Sequence, residues 1–246
     1  MERDRRPSLI TLFADRVFAV GDVRLTDDAA HHVRVRRAAK GDGARLLDGR
    51  GHVGFGEIRS ISKNNVTISI DRVVEVTKPI ALEVIVPIAD RDRMLLAAEK
   101  CVELQITAWR PAYFVRSRSV TPRGEGAKFQ EKLRARMHSA LEQSGGAWLP
   151  DLHADTEVEV AMHAVPSDFR RILFDQDGSP LASRALDGPT AMAVGPEGGL
   201  EPQEVAAALD CGWVAVSLGM TTLRFETAVI AGAAVIRAAQ ISTRSS

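Results

Sequence analysis

Cysteine is nearly missing from these 246 residues: Cys101 and Cys211 are the two present. Neither has CxxC spacing, so a disulfide framework and a cysteine-built zinc site are both unsupported. Each sits in a helix-like or apolar run and reads as a buried small side chain. Long apolar runs are missing too. The longest near the C-terminus, Val229 to Ile236, is far short of the roughly 20 residues that cross a bilayer. The opening MERDRRPSLITLF is charged and has no apolar core of signal-peptide length. These absences lead us to expect a soluble, cytoplasmic protein with no membrane partner. A global charge is absent as well, with 32 Lys+Arg against 32 Asp+Glu. Residues 1 to 78 nevertheless hold 15 basic against 11 acidic residues, and residues 79 to 246 hold 17 against 21. A polyanion would have to be met by local basic patches rather than by a net field. There is no Walker A lysine loop, no HExxH and no GxSxG, so neither P-loop nor zincin nor nucleophile-elbow chemistry is expected, and no metal.

What is present is a change of pattern near residue 78. Residues 44 to 76 read as strands: ARLLDGRGHVGFGEI breaks at a glycine-rich turn, and NNVTISIDRVVEV alternates apolar with polar residues. After Lys78-Pro79 the chain turns to ALEVIVPI, a solid apolar strand, and RDRMLLAAEKCVELQI, an amphipathic helix. The alternation continues with a helix over 127 to 144, strands RRILF (170 to 174) and TAMAV (190 to 194), and a helix from Pro202. A strand WVAVSL and a helix from Phe225 to Gln240 close the series. Buried strands alternating with helices predict an α/β domain, 79–246, after a small β domain, 1–78.

Gly49-Arg50-Gly51-His52-Val53-Gly54 satisfies G-x-G-x-x-G literally, but it lies between two strand-like runs and no helix follows, so it reads as a hairpin turn. Gly195-Pro196-Glu197-Gly198-Gly199 differs. It follows the apolar strand ending at Val194 and precedes a helix opened by Glu201-Pro202, which puts it at a strand's carboxyl end, where α/β proteins bind ligands. A second loop, Leu218 to Arg224, ends the strand WVAVSL in the same way, and Arg224 and Glu226 stand at the mouth of the last helix. Taken singly, each loop also reads as an ordinary strand-to-helix turn. Ala228, Ala231, Gly232 and Ala233 make that helix thin enough for another backbone to approach. Basic residues are dense from Arg110 to Arg136, a strip fit for phosphates or simply a solvated face.

Together and in this order, GPEGG and LGMTTLRFETA closely resemble the RsmE family of ribosomal RNA uridine-N3 methyltransferases, members of the SPOUT superfamily. The resemblance spans almost the whole chain. His31-x-x-Arg34-Val35-x-Arg37, Gly41-Asp42 and Leu47-Asp48-Gly49 look like the family's PUA-like RNA-binding barrel. Lys100-x-x-Glu103-Leu104, Arg116-Ser117 and Glu142-Gln143-Ser144 look like parts of its catalytic domain. Two positions depart from the pattern: Gly145-Gly146 stands where an arginine is usual, and Gln105 where glycine is usual.

The resemblance implies a trefoil-knotted SPOUT domain behind a PUA-like domain, a homodimer, and S-adenosylmethionine as cofactor. It implies methylation of N3 of a uridine in small-subunit ribosomal RNA, either free or in the assembled subunit. The residues that carry over are Leu173, Phe174, Val194, Gly195, Pro196, Glu197, Gly198, Gly199, Leu218, Gly219, Met220 and Leu223 for the cofactor. Arg224 and Glu226 are the candidate catalytic residues, with Glu197 an alternative base. Arg34, Arg37 and Arg116 are expected to meet RNA phosphates.

Overall fold

The computed structural model describes residues 9–26, 28–119, 122–181, 186–219 and 221–242, which fall into two compact units. The first comprises the chain up to Lys78 together with Leu141–Trp148; the second comprises Pro79–Ala140 and the chain from Leu149.

In the first unit β1 (Leu9–Phe13), β2 (Gly21–Thr26), β3 (Gly43–Leu47), β4 (His52–Ile61) and β5 (Asn65–Glu75) form one sheet in the order β1-β3-β4-β5-β2. Pairing is antiparallel except between β1 and β3. Alternation along the strands turns Leu12, Leu46, Ile58, Ile68 and Ile70 to one face, where Val33 of α1 (Asp28–Val35) joins them in a buried core. Gly49 and Gly51 lie at the β3–β4 turn, and Gly54 lies within β4. Asp48 shapes the turn, its Oδ1 accepting from the Arg50 and His52 N–H groups at 2.8 and 3.1 Å. No helix follows, so this G-x-G-x-x-G cradles no phosphate.

Residues 141–148 pack with this unit, although the sequence assigned them to the second domain. The reason is a set of specific contacts. The Phe13 N–H donates to Glu142 Oε1 at 2.8 Å, the Trp148 indole N–H donates to the Val76 carbonyl at 2.8 Å, and the Gly51 N–H donates to the Ala147 carbonyl at 2.9 Å. Gly51 leaves room for the indole, since a Cβ there would lie 2.4 Å from the Trp148 ring.

The second unit is built on a parallel sheet. β6 (Leu82–Pro87), β7 (Ala108–Tyr113), β8 (Asp151–Leu152), β10 (Arg170–Pro180), β11 (Thr190–Val194) and β12 (Val214–Ser217) run in the order β12-β10-β11-β6-β7-β8, and the two-residue β9 (Thr156–Glu157) also pairs with β7. Its helices are α2 (Arg91–Glu103), α3 (Ala127–Ser144, whose last turn groups with the first unit), α4 (Val158–His163), α5 (Pro202–Asp210) and α6 (Phe225–Ser242). Every residue of β11 is buried, as a strand covered on both faces requires, and TAMAV therefore lacks polar alternation.

α2 starts on Asp90, whose Oδ1 accepts from the Asp92 and Arg93 N–H groups. It stops at Gln105, which takes φ +56° where glycine would be free of strain, a cost of about 1–2 kcal/mol. The Gln105 carbonyl is thereby turned to Arg237 Nη2 at 2.5 Å. Arg237 is buried on α6 and also donates to the carbonyls of Leu104 and Ile80, which is what makes a buried guanidinium tolerable. Small residues lengthen the apolar character of α6 beyond its eight-residue run. Among the described helices it alone is long and apolar enough to cross a membrane, yet half of it is buried, packed against α2, β6 and β11. It is a core helix. Cys101 is fully buried on α2, whereas Cys211 is only half-buried, its Sγ 3.3 Å from His163 Nε2.

Candidate active site

β12, β10 and β11 are consecutive in the sheet, and register sets Phe174 of β10 opposite both Val194 of β11 and Val216 of β12. Because the strands are parallel, the loops leaving their carboxyl ends converge. They enclose a cleft of about 560 Å³, within the range of cofactor sites. Phe174, Val194, Pro196, Leu218 and Leu223 supply apolar walls, and Gly195, Gly199 and Gly219 let a ligand approach the backbone. These eight are among the residues expected from the sequence, and the fold brings them together.

The GPEGG loop is held in place from outside. Arg116, in the 3-10 turn Val115–Ser119, donates from Nε to Glu201 Oε1 at 2.8 Å and from Nη1 to the Gly198 carbonyl at 2.5 Å. Its aliphatic stem lies so close that a Cβ on Gly198 would be 3.1 Å from Arg116 Cβ. Glu201 is the N-cap of α5 and forms a capping box with Glu204. The buried Glu204 carboxylate accepts from the Val115 N–H at 2.9 Å and from the Glu201 N–H at 2.8 Å. Two carboxylates and one guanidinium thus tie the 3-10 turn to the loop. Arg116, expected on RNA phosphates, is engaged here as a brace.

Other expected residues lie off the cleft wall. Leu173 alternates to the opposite face from Phe174 and is fully buried in an apolar cluster with Ile85, Ala193 and Trp213. Glu197 is ion-paired to Arg93, and Gly198 faces Arg116. Met220 lies outside the described residues. Arg224 precedes the first turn of α6, exposed, with no ion pair among the described residues, and its carbonyl accepts from the Ala228 N–H. Glu226 is buried in that first turn with Oε2 lacking a hydrogen-bond partner, and it does not line the cleft.

The sequence reading missed Asp175, Gln176 and Asp177, which do line it. They follow the apolar run RRILF directly, and polar residues at the carboxyl end of a buried strand were the available signal. β10 continues through them with a register irregularity against β12, so their side chains leave the regular pleat. Thr222 donates to Gln176 Oε1 at 2.6 Å, linking this edge to the loop before α6. The carboxylates can accept from ligand hydroxyl or ammonium groups.

In the first unit Arg34 and Arg37 are exposed. The Arg34 guanidinium donates to the Lys63 carbonyl, and Arg37 takes φ +56° just past α1. Half of the eight basic residues in the strip 110–136 are answered by carboxylates: Arg110 pairs with Glu83, Arg116 with Glu201, Arg123 with Glu125 and Arg136 with Glu99, each at 2.8 Å. Among the described residues no group of three or more His, Cys, Asp or Glu is arranged to hold a metal.

Comparison with known proteins agrees with this geometry. Residues 76–237 match the RNA methyltransferase domain family and residues 25–71 the RNA methyltransferase PUA domain. The chain is similar to ribosomal RNA small subunit methyltransferase E of Synechocystis sp., 27% identical over 88% of this chain and 73% of that protein. It is 28% identical to the Mycobacterium bovis protein of the same name, over 82% and 80% of the two chains. The crystal structure of ribosomal RNA small subunit methyltransferase E from Neisseria gonorrhoeae, bound to S-adenosyl methionine, superposes with a TM-score of 0.85 at 28% identity. That match covers 94% of this chain and 98% of the other.

Proposed function

The chain belongs to the RNA methyltransferase family, and we propose that it methylates N3 of a uridine in small-subunit ribosomal RNA with S-adenosylmethionine as donor. The observation that carries this reading is the cleft itself, walled by the GPEGG loop and the loop after β12 at the ends of adjacent parallel strands. Its residues suit the cofactor: apolar walls for an adenine ring, glycines for close backbone contact, and Asp175 and Asp177 for hydroxyl and ammonium groups.

When bound, the cofactor supplies a methyl group on a sulfonium, open to in-line displacement. The protein's part is alignment and charge. Uridine N3 becomes nucleophilic as its proton leaves and charge spreads onto O2 and O4. Arg224, exposed at the mouth of α6 beside the cleft loop and free of an ion pair among the described residues, is our choice for the cation that stabilises this charge. Glu226 and Glu197 suit the role of base poorly, being buried off the cleft and paired to Arg93 respectively. Water or a cleft carboxylate is the better acceptor.

The same reading extends to a SPOUT trefoil knot, a homodimer and a cytoplasmic location. Return of the chain from edge strand β12 to α6, packed on β6 and β11, suits a knotted path. Exposed Val235 and Ile241 on α6 suit a dimer face. Mass mapping of 3-methyluridine in ribosomal RNA from cells lacking the protein tests the main claim. Loss of one modified uridine is expected, and an unchanged map would overturn it.

A further inference from the structure

Many arginines of this protein are answered by a carboxylate, among them Arg59 by Asp22, Arg110 by Glu83 and Arg116 by Glu201. Arg45 and Arg72 are held otherwise. Register places Arg45 of β3, Phe55 of β4 and Arg72 of β5 in one cross-strand row. Their neighbours Ala44 and Leu46 turn into the apolar core, so the row occupies the opposite face. Arg72 Cζ lies 4.1 Å from the centroid of the Phe55 ring and Arg45 Cζ 6.0 Å from it. Among the described residues neither arginine makes an ion pair, and Arg45 Nε has no hydrogen-bond partner. Glu57, on the same strand as Phe55, sits one row away, opposite Gly43 and Ser69. Gly145 leaves the space that Arg45 uses, since a Cβ there would be 2.4 Å from Arg45 Nη1.

An arginine laid on an aromatic ring is oriented before any ligand arrives, and its charge is permanent. The outer face of the guanidinium plane is a stacking surface for an unpaired base, while its N–H edge can meet a phosphate. Two such cations, without an ion pair among the described residues and one of them exposed, complement a polyanion with planar bases. We infer that the Arg45–Phe55–Arg72 row is a docking platform for a single-stranded segment of the RNA substrate, with a base stacked on Arg72. This rests on the RNA-substrate reading above.

The test measures binding of the full chain to protein-free small-subunit ribosomal RNA at fixed salt, with S-adenosylmethionine binding and thermal melting as controls. Arg72→Lys keeps the charge and loses the plane, and Phe55→Leu keeps both charges and loses the mount. Each is expected to weaken RNA affinity about tenfold with the controls unchanged. Either variant binding within about twofold of the parent would mean that charge alone matters, and would overturn the platform. A parent protein that neither binds nor methylates this RNA, free or in the assembled small subunit, is a different result, and it would overturn the substrate reading and the platform together.

Discussion

A Cβ placed on Gly232 would lie 2.4 Å from Cε2 of Phe174, so the aromatic wall of the cleft is seated against bare backbone of α6. The small residues of this helix were expected to admit another backbone; at Gly232 they admit a ring. Gly232→Ala must therefore push Phe174 toward the ligand space. We expect a stability loss of about 1–3 kcal/mol together with weaker S-adenosylmethionine binding, read by thermal melting and calorimetry. Unchanged cofactor affinity would show that the ring's seat is unimportant to the site.

Arg224 is predicted to act on the acceptor and not on the cofactor. Arg224→Ala should lower kcat by about 100-fold, the scale for losing one donor to a developing anion, while cofactor affinity stays at the parent value. Single-turnover methylation alongside a cofactor titration separates the two quantities. A variant that methylates at the parent rate would remove Arg224 from the mechanism.

Arg116 should behave in the opposite way. Removing its brace on Glu201 and the Gly198 carbonyl frees the GPEGG loop, so Arg116→Ala is expected to raise the Kd for S-adenosylmethionine roughly three- to tenfold. RNA binding at saturating cofactor should change little. If RNA affinity falls instead and cofactor binding holds, Arg116 serves phosphates as the sequence resemblance implied.

Glu142 carries a pH dependence in the first unit. Burial lifts its carboxyl above the usual range, against the Phe13 N–H and Arg36, which lower it, and burial likewise depresses the nearby His32. The two side chains, 3.4 Å apart, are thus driven toward neutral forms rather than toward a charged pair. The sign follows. A raised folded pKa contributes stability that is full below the ordinary carboxyl value of 4.5 and is lost as pH rises through the folded value. Glu142→Gln, which keeps an oxygen for the Phe13 N–H, should gain stability relative to the parent as pH rises through that window. Parallel melting curves for both proteins from acid to neutral pH would contradict this.

Much of this protein was determined by local pattern. The switch from alternating strands to buried strands with crossover helices near residue 78 follows from residue periodicity. The two strand-end loops were visible because glycine and proline mark turns wherever they occur. Gly49 to Gly54 could be dismissed as a phosphate loop because a hairpin context is itself local. Tertiary structure alone decided the rest. Leu173 and Phe174 are both apolar, and only the pleat and the neighbouring strands sent one to the core and the other to the cleft. Whether a basic residue is available depends on which carboxylate lies across from it in space, as Arg116 and Glu201 do from 85 residues apart. Residues 141–148 joined the first unit through hydrogen bonds to Phe13, Gly51 and Val76 that no periodicity encodes. Composition and spacing set what each segment could form, and long-range packing set which of its side chains face the site.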